Sequence, residues 1–581
     1  MNRTSIIATL FAAALSACGT GSDSPPGSTS SAGTTASAGV GGSAVGAGGS
    51  GSMSGGATSS AGVGGTTSSA GSAGTVSNTG GQGQGGAAPR ISGPPPAGGA
   101  FVHLFEWKWT DIAAECENYL GPAGFAAVQV SPPSEHAVVT SPPYPWWQRY
   151  QTVSYSLAQS RSGTAAEFAD MVQRCARVGV GIYVDAVINH TTGQSTTTTS
   201  VGSNGTMYTK YNYPGLYATT DFHQPPCAIM GSDYTTNADH VRICELSGLA
   251  DLRTEDDSVR GKIAAYLSAL TDLGVAGFRV DSGKHMYPAD VDSIVSRVNQ
   301  HAGAGHAPFF FFEVIEGAGE VIHVTDYTMV GVSSGQAASI TDFQYRSLFD
   351  RFVSGNLADF STLSSSTPAL PSAQAVVFTT NHDTERNSAG PGGIRYQDGK
   401  LYDLATVFLL AWPYGYPSLM SSYAFDRTNG FDLGPPSDNA GHTNSIYAPG
   451  STTPNCAPDP ATAAIGTWVC QHRDPFIAPM LAFRKAMVGA EAITNFWSQG
   501  SDQIAFGRGS KGFVVINRAA TALSRAFTTS LPAGNYCDVI AGGLKNGACV
   551  GATVVVGAGG MATITAPPVG AVVIHTGQKQ G

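Results

Sequence analysis

The sequence predicts an α/β fold: a (β/α)8 barrel of the TIM type, interrupted after its third strand and followed by an all-β Greek-key sandwich. Three observations predict it. From about residue 100 to about residue 490, short apolar runs alternate with amphipathic helical patterns. Such alternation gives parallel strands with helical crossovers, and about eight repeats close into a barrel. From His190 to about Asp251 the helical periodicity is lost and Thr, Tyr, Asn and Gly dominate; so long a stretch inside a compact domain is usually functional. After about Ala490 the helices stop, leaving short alternating runs at 504–506, 512–516, 553–556 and 569–574, the signature of a small β domain.

The strands are expected over 101–105, 126–130, 181–187, 277–280, 309–314, 375–378 and 418–420, with a weaker candidate over 340–343. These are short, mostly apolar runs, as strands covered on both faces require. Thr164 is placed to cap a helix whose apolar face is Phe168, Met171, Val172, Cys175 and Val178, with Gly179 as its stop. Ser258 is expected to cap another that ends at Gly274, and Thr110 a third that carries Cys116.

Upstream lies a different kind of chain. Arg3 precedes an apolar run from Ile6 to Leu15, too short to span a bilayer and suited to a signal peptide over residues 1–17. Leu15-Ser16-Ala17-Cys18 resembles the bacterial lipoprotein box, so Cys18 is expected to carry lipid. Residues 18–97 are rich in Ser, Gly, Thr and Ala. They read as a linker, and about 80 such residues reach roughly 50 Å. The remaining divisions are barrel over 98–190, insertion over 191–252, barrel again over 253–489 and β domain over 490–581. The chain is expected to be exported, either anchored by lipid to the cell envelope (the outer membrane) or secreted, with no other membrane contact.

With 12% charged residues and a net charge of -10, the footprint of a nucleic-acid binder is absent. Eight cysteines remain after Cys18: Cys116, Cys175, Cys227, Cys244, Cys456, Cys470, Cys537 and Cys549. An even number in an exported chain points to four disulfides, of which 105 pairings are possible.

Three strand patterns end at a carboxylate: Asp281 after 277–280, Glu313 after 309–312 and Asp383 after 376–382. Barrel sites form at the C-terminal ends of strands, so all three acids converge at one mouth. Arg279 shares a strand face with Asp281 and favours its ionised form, as a nucleophile requires. Glu313 follows four phenylalanines, and apolar surroundings raise a carboxyl pKa, as a general acid requires. That unequal pair fits retaining glycoside cleavage.

At these residues the sequence resembles the α-amylase family of glycoside hydrolases. Asp185-Ala186-Val187-Ile188-Asn189-His190, Gly277 to His285, Glu313-Val314-Ile315-Glu316 and Phe378 to Asp383 look like its four signature segments, in family order. Phe105-Glu106-Trp107, Gln129 to Pro133 and Trp146 to Gln151 resemble the animal-type branch, which some bacteria share. The resemblance implies hydrolysis of internal α-1,4 bonds in starch and glycogen; a transglycosylase on the same barrel is the alternative. It implies Asp281 as nucleophile, Glu313 as general acid/base and Asp383 as the third acid. It implies His190 and His382 at the cleaved sugar, and Trp146, Trp147 and Tyr150 as an aromatic wall. Gln151, Lys284 and Arg279 are implied as further substrate-site residues. It implies a structural calcium ion held by Asn189, Asp251 and the carbonyls of Arg242 and His285, whose oxygen donors suit that metal. It pairs the cysteines as Cys116–Cys175, Cys227–Cys244, Cys456–Cys470 and Cys537–Cys549. Residues 387–393 keep the family's glycine richness but lack the histidine of the animal enzymes. Arg279 and Asn381 match two chloride ligands of the branch, but the third position is Ser418, so chloride is not expected to be required. The expected partner is an α-glucan, and the chain is expected to be monomeric.

Overall fold

The computed structural model describes residues 89–363, 370–386, 393–428 and 430–581. The expected signal peptide, Cys18, most of the linker and residues 387–392 of the glycine-rich loop lie outside the described residues.

Eight parallel strands form the barrel: β1 (Phe101–Leu104), β2 (Ala127–Val130), β3 (Gly181–Ala186), β4 (Gly277–Val280), β5 (Phe309–Phe312), β6 (Ser339–Thr341), β7 (Ala375–Val377) and β8 (Tyr416–Tyr423). They pair in sequence order, and β1 returns to β8 with Phe101 opposite Ser418 and Leu104 opposite Ser421. The strand β8 runs beyond the expected 418–420 in both directions. Its extension holds Ser421 and Ser422, which are fully buried polar residues that hydropathy cannot flag. The Ser421 hydroxyl donates to the Val469 carbonyl, and Arg386 donates to the Ser422 hydroxyl.

Inside the barrel, Phe101, Ala127, Tyr183, Phe309, Phe311 and Val376 form one apolar layer. Ile91, from the segment before β1, packs against that layer and Tyr183 Oη donates to the Gly93 carbonyl, so this segment closes the barrel floor. Each buried ring of this kind contributes roughly 1.5–3 kcal/mol relative to exposure.

Outside the insertion, the α-helices of five or more residues among the described residues are α1 (Trp109–Glu115), α2 (Ala165–Arg177), α3 (Asp257–Asp272), α4 (Pro288–Ala302), α5 (Phe343–Ser347), α6 (His382–Arg386), α7 (Lys400–Ala411) and α8 (Pro479–Ala486). Thr164 caps α2 as expected, in a reciprocal box with Glu167, and Gly179 follows it with φ 78°. Two other expected caps are displaced. The helix α3 starts after Asp256, not at Ser258, because a turn from Arg253 to Asp256 already sets the chain entering it. Thr110 lies inside α1, whose first residue, Trp109, donates its N–H to the Ser162 carbonyl and needs no side-chain cap.

The four disulfides pair as the resemblance implied: Cys116–Cys175, Cys227–Cys244, Cys456–Cys470 and Cys537–Cys549. The insertion after β3 has short helices and a small hairpin joining Ser200–Val201 to Met207–Tyr208.

The C-terminal part is all β, with strands β9 (Ile493–Gln499), β10 (Gln503–Arg508), β11 (Gly512–Asn517), β12 (Leu523–Thr528), β13 (Gly534–Cys537), β14 (Thr553–Val556), β15 (Met561–Ala566) and β16 (Gly570–His575). The antiparallel sheet β9-β10-β11-β16 faces the ladders β12–β15 and β13–β14. Phe513, Val515 and Ile574 meet Phe527, Val554 and Ile564 between the layers. Arg508 reaches from β10 to the Ala411 carbonyl, and Arg484 of α8 to those of Leu410 and Trp412. Two cations thus sit at the C-terminal end of α7, where the helix dipole favours them.

Candidate active site

The strand ends bring four acids to one mouth. The third strand carries Asp185, Asp281 follows β4, Glu313 follows β5 and Asp383 lies in the first turn of α6 after β7. A cavity of about 300 Å³ opens there, lined by Asp281, Glu313 and Asp383 together with Trp147, His190 and His382.

Arg279 organises the acids. It faces Asp185 across the β3–β4 ladder. Its guanidinium lies 2.6 Å from Asp185, 2.9 Å from Asp281 and 2.8 Å from Glu313. Its side chain is 3% exposed, so these attractions act with little solvent screening. Ser282 adds a second link. Its backbone is left-handed, with φ 52°, and this turn lets its N–H donate to Glu313 Oε2 at 3.0 Å while its hydroxyl donates to Asp281 Oδ2 at 3.0 Å.

Burial pushes the Glu313 carboxyl above its usual range, with Arg279 opposing and Asp281 adding to the rise. Burial, aided by the Glu313 charge, raises Asp383 well above its usual range. Asp185 is pushed up to about 7 by burial against the pull of Arg279. The arrangement can therefore hold a proton near Glu313 while Arg279 lies against Asp281.

Burial favours the neutral form of both His382 and His190. Burial lowers His382 well below its usual range, and Arg279 lowers it further. Its ring is sandwiched between Tyr150 and Phe105, and its Nε2 is 3.3 Å from Asp383 Oδ2. Burial also lowers His190, whose Nε2 donates to the Tyr150 carbonyl at 3.0 Å.

Tyr150, Gln151 and Trp147 line the cavity, and Gln151 accepts from the Gly193 N–H at 3.1 Å. Trp146 also reaches the lining, yet it is only 5% exposed and packs edge-on against Phe105, Tyr150 and His382. It is as much core as wall. The Lys284 ammonium is paired with Glu320 and donates to the Ile315 carbonyl, while its backbone N–H donates to the Glu313 carbonyl. Asp185, Ser282, Leu246, Ser247, Leu249 and Phe431, which have no assigned role in the sequence, stand at the acids or on the lining. Asp185 carried a usable signal, an acid within a buried strand.

Asn189 and Asp251 meet beside the mouth, with Asn189 Nδ2 donating to Asp251 Oδ1 at 3.4 Å and Leu252 N–H to the Asn189 carbonyl. Asn189 Oδ1 is buried with no hydrogen-bond partner. His285 Nδ1 donates to the Val241 carbonyl, which draws the Arg242 segment onto the turn after β4. Among the described residues no group of three His, Cys, Asp or Glu is placed to hold a metal. An amide oxygen, one carboxylate and backbone carbonyls are hard oxygen donors, so the set fits calcium and not a soft metal.

Known proteins resemble this chain over most of its length. Residues 115–417 match the model described as "Alpha amylase, catalytic domain", and residues 494–577 match "Alpha amylase, C-terminal all-beta domain". The chain belongs to the α-amylase family. An α-amylase of Tribolium castaneum is 46% identical, covering 80% of this chain and 91% of the relative. One of Thermomonospora curvata is 44% identical, covering 84% of this chain and 75% of the relative. The crystal structure of α-amylase I from Eisenia fetida superposes with a TM-score of 0.73 at 36% identity, covering 84% of this chain and 99% of that one. A second structure of that enzyme, a mutant described as a maltohexaose complex, superposes with a TM-score of 0.71 at 36% identity, with the same coverage. The α-amylase family thus accounts for both the barrel and the all-β domain.

Proposed function

We propose that this family member is an endo-acting α-amylase that cleaves internal α-1,4 bonds of starch and glycogen with retention of configuration. The observation that carries the reading is Arg279 held between Asp281 and Glu313, two carboxyls in unequal surroundings at the floor of one cleft. Asp281 attacks the anomeric carbon as Glu313 gives its proton to the departing oxygen. Glu313 then takes a proton from water, whose oxygen displaces Asp281. Asp383 and His382 hold the hydroxyls of the sugar being cleaved, and Trp147 and Tyr150 stack against its neighbours.

Asn189, Asp251 and the carbonyls of Arg242 and His285 would hold calcium, which pins the insertion to the barrel. Chloride is not required, since Ser418 supplies no second positive charge beside Arg279. Cys18 is lipidated, and the chain is exported and acts as a monomer. The support for export is the leader-like sequence; among the described residues no helix is long and apolar enough to cross a membrane.

The deciding experiment is hydrolysis of soluble starch by Asp281→Asn, Glu313→Gln and Asp383→Asn. Each is expected to lose roughly a thousandfold or more in kcat with the fold intact. More than about a hundredth of wild-type activity in the Asp281 or Glu313 variant would overturn the assignment. Products from maltoheptaose separate hydrolysis from transfer: shorter oligosaccharides alone mean hydrolysis, and longer or branched ones mean a transglycosylase. Mass analysis of the processed chain tests Cys18, where an unmodified cysteine refutes the anchor.

A further inference from the structure

Two loops form the aromatic side of the cleft, and one buried arginine joins them. The first loop, between β2 and α2, carries the turn Trp146–Tyr150. The second follows β8. Trp146 Nε1 donates to the Phe431 carbonyl at 2.6 Å and Trp147 Nε1 to Asp432 Oδ1 at 2.8 Å, so both indoles are tethered to the second loop. Beneath that contact lies Arg161, its side chain 1% exposed. Its Nη1 donates to the carbonyls of Tyr144 and Pro145, at 3.2 and 3.3 Å, immediately before Trp146. Its Nη2 donates to Ser437 Oγ at 2.8 Å, in the second loop. The Arg161 carbonyl accepts from the Thr443 N–H at 2.9 Å, again in the second loop.

The two loops touch closely. A Cβ at Gly434 would lie 2.0 Å from the Tyr144 carbonyl oxygen, and one at Gly441 would lie 2.4 Å from the Tyr144 ring. Neither position accepts a larger residue without moving the first loop.

The charge arrangement is costly. Glu106 is fully buried and stands 3.6 Å from Arg161 and 3.3 Å from Arg149, so one carboxylate serves two buried guanidiniums. Well-packed apolar residues in place of buried ions are often neutral or more stable. What they cannot supply is a rigid fork of donors aimed at two carbonyls and a hydroxyl at once. The arrangement therefore makes sense as a device for position.

We infer that Arg161 is a positioning residue: by joining the Tyr144–Pro145 carbonyls to Ser437 it fixes Trp146 and Trp147 against the second loop, and so sets the affinity of the cleft for longer α-glucan chains. The inference rests on the reading of the cleft as a glucan site. The chemistry at Asp281 and Glu313 lies on other strands and is left alone.

The test uses Arg161→Lys, which keeps the charge and loses the fork, and Ser437→Ala, which removes the Arg161–Ser437 bond together with the one Ser437 Oγ donates to the Pro435 carbonyl. Each is assayed on maltoheptaose and maltotriose. Each is also combined with Glu313→Gln, so that binding of both sugars is measured by calorimetry without turnover. For Arg161→Lys the expected result is a KM and a Kd for maltoheptaose raised about tenfold, with kcat within about twofold and a smaller change for maltotriose. For Ser437→Ala the expected rise is about threefold. Unchanged maltoheptaose affinity in Ser437→Ala and in a folded Arg161→Lys overturns the inference. So does a fall in kcat at constant KM, which means only a lost fraction of folded enzyme. If Arg161→Lys does not fold, Ser437→Ala decides. A Glu313→Gln protein that binds no maltoheptaose overturns the glucan reading itself, and the inference with it.

Discussion

The ring of His382 lies flat on that of Tyr150, with centroids 5.0 Å apart and planes within 9° of parallel. The phenol of Tyr150 in turn donates to Asp185 Oδ2 at 3.0 Å. An aromatic face and a hydrogen bond thus fix the histidine beside Asp383 through a residue that itself lines the cleft. Tyr150→Phe keeps the face and loses the bond; Tyr150→Ala loses both. The expected fall in kcat/KM on starch is about tenfold for the first and about a hundredfold or more for the second. Equal losses in the two variants would show that the stack contributes nothing.

The pH profile offers a second check. Glu313 must be protonated to act, and its carboxyl is raised by burial while Arg279 holds it down. Removing a cation next to an acid disfavours the carboxylate, so the pKa rises further. Arg279→Gln is therefore expected to move the alkaline limb of kcat/KM to higher pH, whatever its effect on the maximum. A limb that moves to lower pH contradicts the placement of that charge.

Calcium binding should be visible without any activity measurement. A ligand held only by the folded chain stabilises it by mass action, by about 4 kcal/mol when its free concentration is a thousand times Kd. Chelation should lower the melting temperature, and elemental analysis should find about one calcium per chain before treatment, on the reading that Asn189 and Asp251 share one ion. Asp251→Asn should reduce that content. A melting curve unchanged after confirmed loss of metal counts against the site.

Chloride should have little effect. Arg279, Asn381 and Ser418 line one small cavity inside the barrel, with His103 and Gln129 around it. His103 is held well below its usual range by burial, with Arg279, Arg386 and Arg149 adding to the fall, so Arg279 stands there without a second charged partner from that ring. Burying an anion against a single cation already committed to three carboxylates is unfavourable. Activity in chloride-free buffer, titrated with sodium chloride against sodium acetate, should stay flat; saturable activation of several-fold by chloride alone refutes the serine argument.

How much of this was legible beforehand depended on whether the signal was local. The strand β4 is found where it was expected, over 277–280, and Asp281, Glu313 and Asp383 were marked by apolar runs ending in an acid. Ser282 was not, because its role depends on a left-handed turn that composition does not reveal. Leu246, Ser247 and Leu249 reach the cleft from the far end of the insertion, and no spacing relates them to Asp281. The role that the resemblance gives Lys284 rests on a motif, while its pairing with Glu320 joins separate segments that no motif relates. Ser421 and Ser422 lengthen β8 because their hydroxyls are satisfied by groups far away in sequence, which no hydropathy run can register.

The floor of the barrel is closed by the segment that contains Ile91 and Gly93, while the acids stand at the opposite end of every strand. The molecule therefore has a working end and a closed end, and Ile91 and Gly93 lie at the closed end. Coupled to a bead through side chains at the closed end, the enzyme should present its mouth outward and keep attacking granules too large to diffuse. Coupling through side chains at the mouth should spare small soluble substrates more than granules. A catalyst for solid starch would be mounted by the first route.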